Sequence, residues 1–143
     1  MMTFNEHWSQ AKKEPIVIDT LDEIVTYIGN LPNQKIHLDY PKGSSKGFGR
    51  EEKLPIPFDY GEYPFLINPA DNLGWDIIIV PSSSKDDRDL IPVGHVQYDN
   101  EPEKEGNDKI IVAPKGQYTS EDKDIINNFF DPIARFKPVS WYN

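Results

Sequence analysis

Short apolar runs, separated by polar turns that contain proline or glycine, recur along the chain. In residues 35–40 apolar and polar positions alternate, as they do in a strand with one buried face. The run at residues 75–80 does not alternate, so it predicts a strand that is buried on both faces. Residues 54–67 mix aromatic residues with prolines, and no element is predicted there. The further predicted strands are residues 15–19, 90–98 and 109–113.

Two segments carry the spacing and the capping residues of amphipathic helices. Thr20 and Glu23 form the capping box of the first helix, which ends at Gly29 or Asn30. Ser120 or Thr119 caps the second helix. Apolar positions repeat every three or four residues in both, which predicts one buried face for each helix. These positions are Leu21, Ile24, Val25 and Ile28 in the first helix, and Ile125, Ile126, Phe129 and Phe130 in the second.

These elements predict a mainly β protein with helices, in the α+β class. The 143 residues include 13 prolines and 9 glycines, which favours short strands and many turns over a helix bundle. No repeat or linker divides the chain, so residues 15–143 are expected to form a single domain after a loose polar leader at residues 1–14. Strands closed by a C-terminal helix favour a small antiparallel barrel or a mixed α+β fold.

Charge and composition narrow the classes of partner and chemistry. A net charge of −9 repels phosphate backbones, so nucleic-acid binding is not expected. No apolar run has the length that spans a bilayer, and no secretory signal is visible, so no membrane partner is expected. The absence of cysteine excludes thiolate catalysis and cysteine-based zinc sites. It also fits a reducing compartment, and the expected location is the cytoplasm.

Acidic side chains gather where the predicted loops meet strands, and carboxylates of this kind suit Mg²⁺. These acids are Asp71, Asp76, Asp99 and Asp108. The side chains that could hold phosphate oxygens are Lys35, Arg50, Tyr60, Tyr63 and Lys109. From spacing alone a solvated acidic turn is the commoner arrangement, so a cation site and a plain surface turn both stay open.

The order of segments from Tyr60 onward resembles the family of soluble inorganic pyrophosphatases. The signature of that family is an Asp-x-Asp-Pro-x-Asp turn that runs into an apolar strand. A Pro-Val-Gly strand, an acidic loop, a lysine-bearing strand and a helix ending in Phe-Phe follow it. The corresponding segments here are residues 71–80, 92–94, 99–108, 109–114 and 125–130. With the upstream strand at residues 35–39, the likeness covers about residues 35–141.

The resemblance implies a five-stranded barrel of the oligonucleotide-binding type, with the C-terminal helix packed on it. It implies Mg²⁺ as cofactor, pyrophosphate or another phosphorylated small molecule as ligand, and assembly into a homo-oligomer. The implied metal ligands are Asp71 and Asp76, joined by Asp99 and Asp108 of the acidic loop. The implied phosphate contacts are Lys35, Arg50 and Lys109, with Tyr60 supporting the site. Charge neutralisation by metal ions supplies most of the rate in this chemistry.

Several signature positions carry other residues in this chain. Leu73 stands where the family has the middle acid, and Gly74 stands where it has proline. Asn107 occupies the place of the acid before the lysine strand, and His37 replaces a glutamate. Residues 133–134 are Ile-Ala where the family has a Tyr-Lys pair. Each lost acid weakens a site for several metals, so hydrolysis should be reduced or lost.

Three functional interpretations follow. The first is an inorganic diphosphatase, or a related phosphoanhydride hydrolase, with an incomplete metal site. The second is a pseudoenzyme that binds a phosphorylated ligand or a partner, and the third is an interaction domain that shares only the scaffold. Asp71, Asp76, Lys35 and Lys109 favour the first two, whereas Leu73 favours the second over efficient catalysis. We therefore expect pyrophosphatase-like ancestry with reduced or lost activity.

Overall fold

The computed structural model describes residues 14–48, 52–97, 108–133 and 138–142. Nearly all of the predicted leader, residues 1–14, therefore lies outside the described residues. The helices are α1 (Leu21–Asn30) and α2 (Ser120–Phe130), and a 3-10 turn follows at Asp131–Ile133. The strands are β1 (Ile16–Val17), β2 (His37–Tyr40), β3 (Ser45–Lys46), β4 (Leu54–Pro55), β5 (Asp59–Asn68), β6 (Leu73–Ile79), β7 (Leu90–Val96), β8 (Lys109–Pro114) and β9 (Val139–Trp141).

Seven of these strands form one mixed sheet. Its order is β1-β5-β6-β8-β7-β9, and β2 also pairs with β5. The pairs β1–β5 and β6–β8 are parallel, and the other pairs of the sheet are antiparallel. A separate two-stranded sheet joins β3 to β4. The predicted α+β class is confirmed.

The longest strand, β5, falls in the segment for which no element was predicted. Its pairing with β6 changes register between Tyr63 and Ile67, and Pro64 lies inside this bulge. A bulge shifts the alternation of inward and outward side chains and interrupts the ladder of hydrogen bonds. Proline is tolerated there because it has no N–H group to donate to that ladder. The apolar pattern of β5 is therefore broken in sequence although the strand is continuous in space.

Each face of the sheet carries its own hydrophobic core. Ile78 and Ile111 pack on the face covered by α2, whereas Ile77 and Ile110 pack on the face covered by α1. The apolar run that starts at Trp75 is thus buried on both sides, as its lack of alternation predicted. Full burial of one such side chain contributes about 1.5–3 kcal/mol, so these central strands stabilise the fold most.

Both helices begin at threonine caps. The Thr20 hydroxyl accepts a hydrogen bond from the Glu23 amide at 3.1 Å, as its capping pattern predicted. At α2 the cap is Thr119, and it forms a complete capping box with Asp122. The Asp122 carboxylate also accepts hydrogen bonds from the amide and hydroxyl of Ser82, which ties α2 to the turn after β6. Neither helix in the described ranges has the length and hydropathy of a membrane-spanning segment.

Candidate functional site

Four ionisable side chains form one row across four neighbouring strands. His37 of β2 is paired with Glu62 of β5, Glu62 with Asp76 of β6, and Asp76 with Lys109 of β8. Directly paired residues project from the same face of a sheet, with Cβ atoms about 5 Å apart. We call His37, Glu62, Asp76 and Lys109 the charged row. It runs from the partly exposed strand β2 to β8, in which all residues but the last are buried.

Lys109 forms the buried end of the charged row. Its Nζ lies 3.5 Å from Asp76 Oδ2, and the two side chains are 3% and 25% exposed. Burial lowers the pKa of the Lys109 ammonium, and the Asp76 charge opposes that shift. Burial likewise raises the pKa of the Asp76 carboxyl, against the effect of Lys109 and of a hydrogen bond from Tyr60. Burial removes hydration from both charged groups, and the opposite charge of the partner compensates for part of that loss.

Three aromatic rings lie beneath the cations. Lys109 Nζ lies 5.6 Å from the centroid of Phe48 and 5.4 Å from that of Tyr60. Lys46 Nζ lies over the same two rings and, at 4.6 Å, over Tyr40. We call Tyr40, Phe48 and Tyr60 the aromatic platform. Its ring faces attract both ammonium groups, so two positive charges share one apolar support.

Glu62 is the second carboxylate of the row, and its position depends on Gly74. A Cβ at Gly74 would lie 2.8 Å from Glu62 Oε2 and 2.5 Å from a backbone oxygen of β5, so no larger residue fits without displacement. Burial raises the pKa of Glu62, and the charges of Asp39 and Asp76 raise it further. His37 and a hydrogen bond from the Gly74 backbone act in the opposite direction.

Of the residues that the sequence singled out, the structure brings Asp76, Tyr60 and Lys109 together. Asp71 lies in the exposed turn before β6, where its Oδ1 accepts the Leu73 amide at 2.9 Å, and its charge still reaches Asp76. Lys35 stands outside the row, with its ammonium 5.7 Å from the ring centroid of Phe65. Arg50 and Asp99 lie outside the described residues.

Asp108 belongs to the other face of the sheet. It directly precedes Lys109, and successive strand residues point to opposite faces. Its Oδ2 accepts a hydrogen bond from Gln97 at 3.3 Å, and it lines a surface cavity of about 450 Å³ beside Trp75 and Thr20. Asp108 and Asp76 thus do not share a site.

Sequence reasoning missed Glu62 and Lys46. Glu62 lies two residues after Tyr60, which places both on one face of a strand, but no strand was predicted there. Lys46 lies in the two-residue strand β3, and only its contacts with the aromatic platform reveal it. His37 was noted as a departure from the signature, and its pairing with Glu62 makes it the exposed end of the row.

The described ranges contain no metal site in which the protein alone supplies three or more side-chain ligands. Among those residues, no group of three or more His, Asp or Glu side chains is arranged to hold a metal ion. The carboxylates that lie together are the directly paired Glu62 and Asp76, with Asp39 close enough to affect Glu62. This geometry can offer two oxygen ligands and an adjacent ammonium group.

No family model matches the chain, and neither the curated proteins nor the solved structures contain a match to it. The charged row and its aromatic platform therefore carry the functional interpretation.

Proposed function

We propose that the chain is a pyrophosphatase-like domain that binds a phosphorylated small molecule together with Mg²⁺ at the charged row, with slow hydrolysis or none. The pairing of Glu62 and Asp76 beside the ammonium of Lys109 is the observation that carries this proposal. Mg²⁺ is commonly held by one or two carboxylates, waters and the phosphates of its ligand, without an all-protein cage. Two carboxylates and a lysine suffice for that mode of binding.

The charges of the row explain why cation and phosphate would enter together. Asp39, Glu62 and Asp76 oppose the two ammonium groups of Lys46 and Lys109, so the free site has a negative excess. A phosphate group that enters without a cation is repelled by this excess of negative charge. A divalent cation between the Glu62 and Asp76 carboxylates would reverse it, and the partly exposed Lys46 would then contact phosphate oxygens while the buried Lys109 stays paired with Asp76.

The strand order supports the finer fold assignment, a five-stranded barrel of the oligonucleotide-binding type. Strands β2, β5 and β6 form an antiparallel meander, β6 continues in parallel to β8, and β7 lies outside β8. A connection that skips one place in this way is of the Greek-key kind that such barrels use. The pairings of the described residues do not close the ring, so closure remains part of the proposal.

Slow or absent turnover follows from the ligands that the site lacks. Leu73 replaces the middle acid of the signature, and its side chain is 60% exposed at the start of β6. A leucine neither ligates a metal nor accepts a proton from water. Activation of water between several metals needs more carboxylates than the pair Glu62 and Asp76 provides.

Thermal unfolding with pyrophosphate, in MgCl₂ and in EDTA, tests the binding. We expect stabilisation in MgCl₂ of about 2.7 kcal/mol at a ligand concentration one hundred times the dissociation constant. Lys46→Met should weaken it because Lys46 lies over the aromatic platform, whereas Lys123→Met, at an exposed position of α2, should not. Absence of any stabilisation at millimolar pyrophosphate and MgCl₂ would remove the proposal.

Phosphate release from pyrophosphate tests the statement on turnover. We expect no release above the background of the Asp76→Ala variant. Rapid release that Asp76→Ala abolishes would instead identify an active diphosphatase that works with the reduced set of carboxylates.

A further inference from the structure

We infer that Glu62 makes entry of the phosphorylated ligand conditional on the divalent cation. This inference rests on the proposed function of the charged row and assigns Glu62 the role of a specificity-determining residue. Without Glu62, the carboxylates of Asp39 and Asp76 would be balanced by the ammonium groups of Lys46 and Lys109, and a ligand phosphate would meet no excess of negative charge.

The register of the sheet places Glu62 where it controls the charge next to the ligand. Glu62 is directly opposite Asp76, and Asp76 is directly opposite Lys109. Lys46 Nζ lies over the same two rings as Lys109 Nζ, so an anion that contacts the partly exposed Lys46 lies near the charged row. Neighbouring strands are about 4.8 Å apart, so the charges of Glu62 and Asp76 act together on an anion at the row.

Local structure keeps the Glu62 carboxylate turned toward β6. The Gly74 backbone forms a hydrogen bond with it, and the missing Cβ of Gly74 leaves the space that its Oε2 occupies. On the side of β2, His37 Nε2 contacts Asp39 Oδ1 at 3.3 Å. The carboxylate is thus held as a fixed negative charge next to Asp76, and a cation that bridges the two carboxylates removes the repulsion.

The isosteric variant Glu62→Gln separates this role from packing. Calorimetric titration with pyrophosphate, in saturating MgCl₂ and in excess EDTA, gives the ratio of the two dissociation constants. For the natural chain we expect Mg²⁺ to tighten binding at least about tenfold. In Glu62→Gln that ratio should fall about three- to tenfold, because affinity without cation rises and affinity with cation falls.

Two further variants complete the test. Asp39→Asn removes a charge beside Glu62 without touching β6, and it should lower the ratio in the same direction but less. Glu121→Gln, at an exposed position of α2, should leave the ratio unchanged. Asp39→Asn keeps the test decisive if Glu62→Gln does not fold.

The outcomes separate the two claims. An equal loss of affinity with and without Mg²⁺ in Glu62→Gln would assign Glu62 a structural role and overturn the inference alone. A natural chain that binds pyrophosphate equally well with and without Mg²⁺ would also overturn it while leaving ligand binding intact. A natural chain that binds under neither condition would overturn the proposed function, and the inference with it.

Discussion

Replacing Asp76 by asparagine should destabilise the protein more than replacing Lys109 by methionine. The two side chains form one ion pair, but the lysine is 3% exposed and the aspartate 25%. Asp76→Asn leaves a buried ammonium without the carboxylate that faces it. Lys109→Met leaves a carboxylate that water can partly solvate and that still receives a hydrogen bond from Tyr60.

The magnitudes follow from that asymmetry. Removing one partner of a fully buried pair costs about 3–5 kcal/mol, and the partial exposure of Asp76 reduces this to about 2–3 kcal/mol for Asp76→Asn. Lys109→Met should cost about 1 kcal/mol, because a flexible thioether fills the space above Phe48 and Tyr60. The double variant should cost about 1–2 kcal/mol, so the coupling between the two positions is about 2 kcal/mol.

Urea unfolding of the four proteins at neutral pH measures this double-mutant cycle. With a slope of about 1.5 kcal/mol per molar urea, Asp76→Asn should lower the midpoint by about 1.3–2 M. The matched control is the exposed pair of Lys85 and Asp86, 3.1 Å apart, whose cycle should give a coupling below about 1 kcal/mol. A larger cost for Lys109→Met than for Asp76→Asn, or the same coupling energy in both cycles, would refute this order of stabilities.

Three further predictions concern packing and hydrogen bonding. Asp122→Asn should cost about 2 kcal/mol at neutral pH, because its carboxylate accepts hydrogen bonds from Thr119 and Ser82. Burial alone would raise the pKa of Asp122, but these hydrogen bonds lower it below the ordinary value. The ionised carboxylate therefore stabilises the fold fully above the ordinary aspartate pKa, and this stabilisation is lost as pH falls through the folded-state pKa. The urea midpoints of the natural and variant chains should accordingly converge in acid. Tyr63→Phe should leave the unfolding free energy unchanged or raise it by up to about 1 kcal/mol, because the buried hydroxyl has no hydrogen-bond partner among the described residues. A loss above about 1 kcal/mol in urea would refute this. Gly74→Ala should lower the melting temperature through a loss of about 1–3 kcal/mol, whereas Gly29→Ala, with open space in α1, should raise it slightly; the opposite order would contradict the contacts at Gly74.

Elements with strong local signals were predicted well. The cap at Thr20 and the apolar run after Trp75 depend on residues close together in sequence, and both were confirmed. β5 was missed because the bulge after Tyr63 interrupts its alternation. Long-range pairing restores the strand in space, and no local pattern of one chain encodes that pairing.

The residues of the candidate site likewise divide into those with a local sequence signal and those that only the fold brings together. Asp76 and Lys109 were singled out because both lie at the ends of apolar strands in a recognisable order. Glu62 and Lys46 join them only through strand register and ring contacts, which the sequence does not display. Asp108, like Asp76, is an aspartate next to an apolar strand. Because it directly precedes Lys109, its side chain lies on the opposite face of the sheet. One residue of register thus decides whether an acid belongs to the site.

The parallel pairing of β6 with β8 has a consequence for the order of folding. The β5–β6 pair is antiparallel between successive strands, so it can form early, and it already carries Glu62 opposite Asp76. β8 pairs in parallel with β6 although β7 lies between them in the chain, and such non-local pairing is slow. That pairing brings Lys109 beside Asp76. A β5–β6 pair that forms before it would carry adjacent negative charges with no lysine beside them, and divalent cations in the refolding buffer should then speed formation of the native sheet.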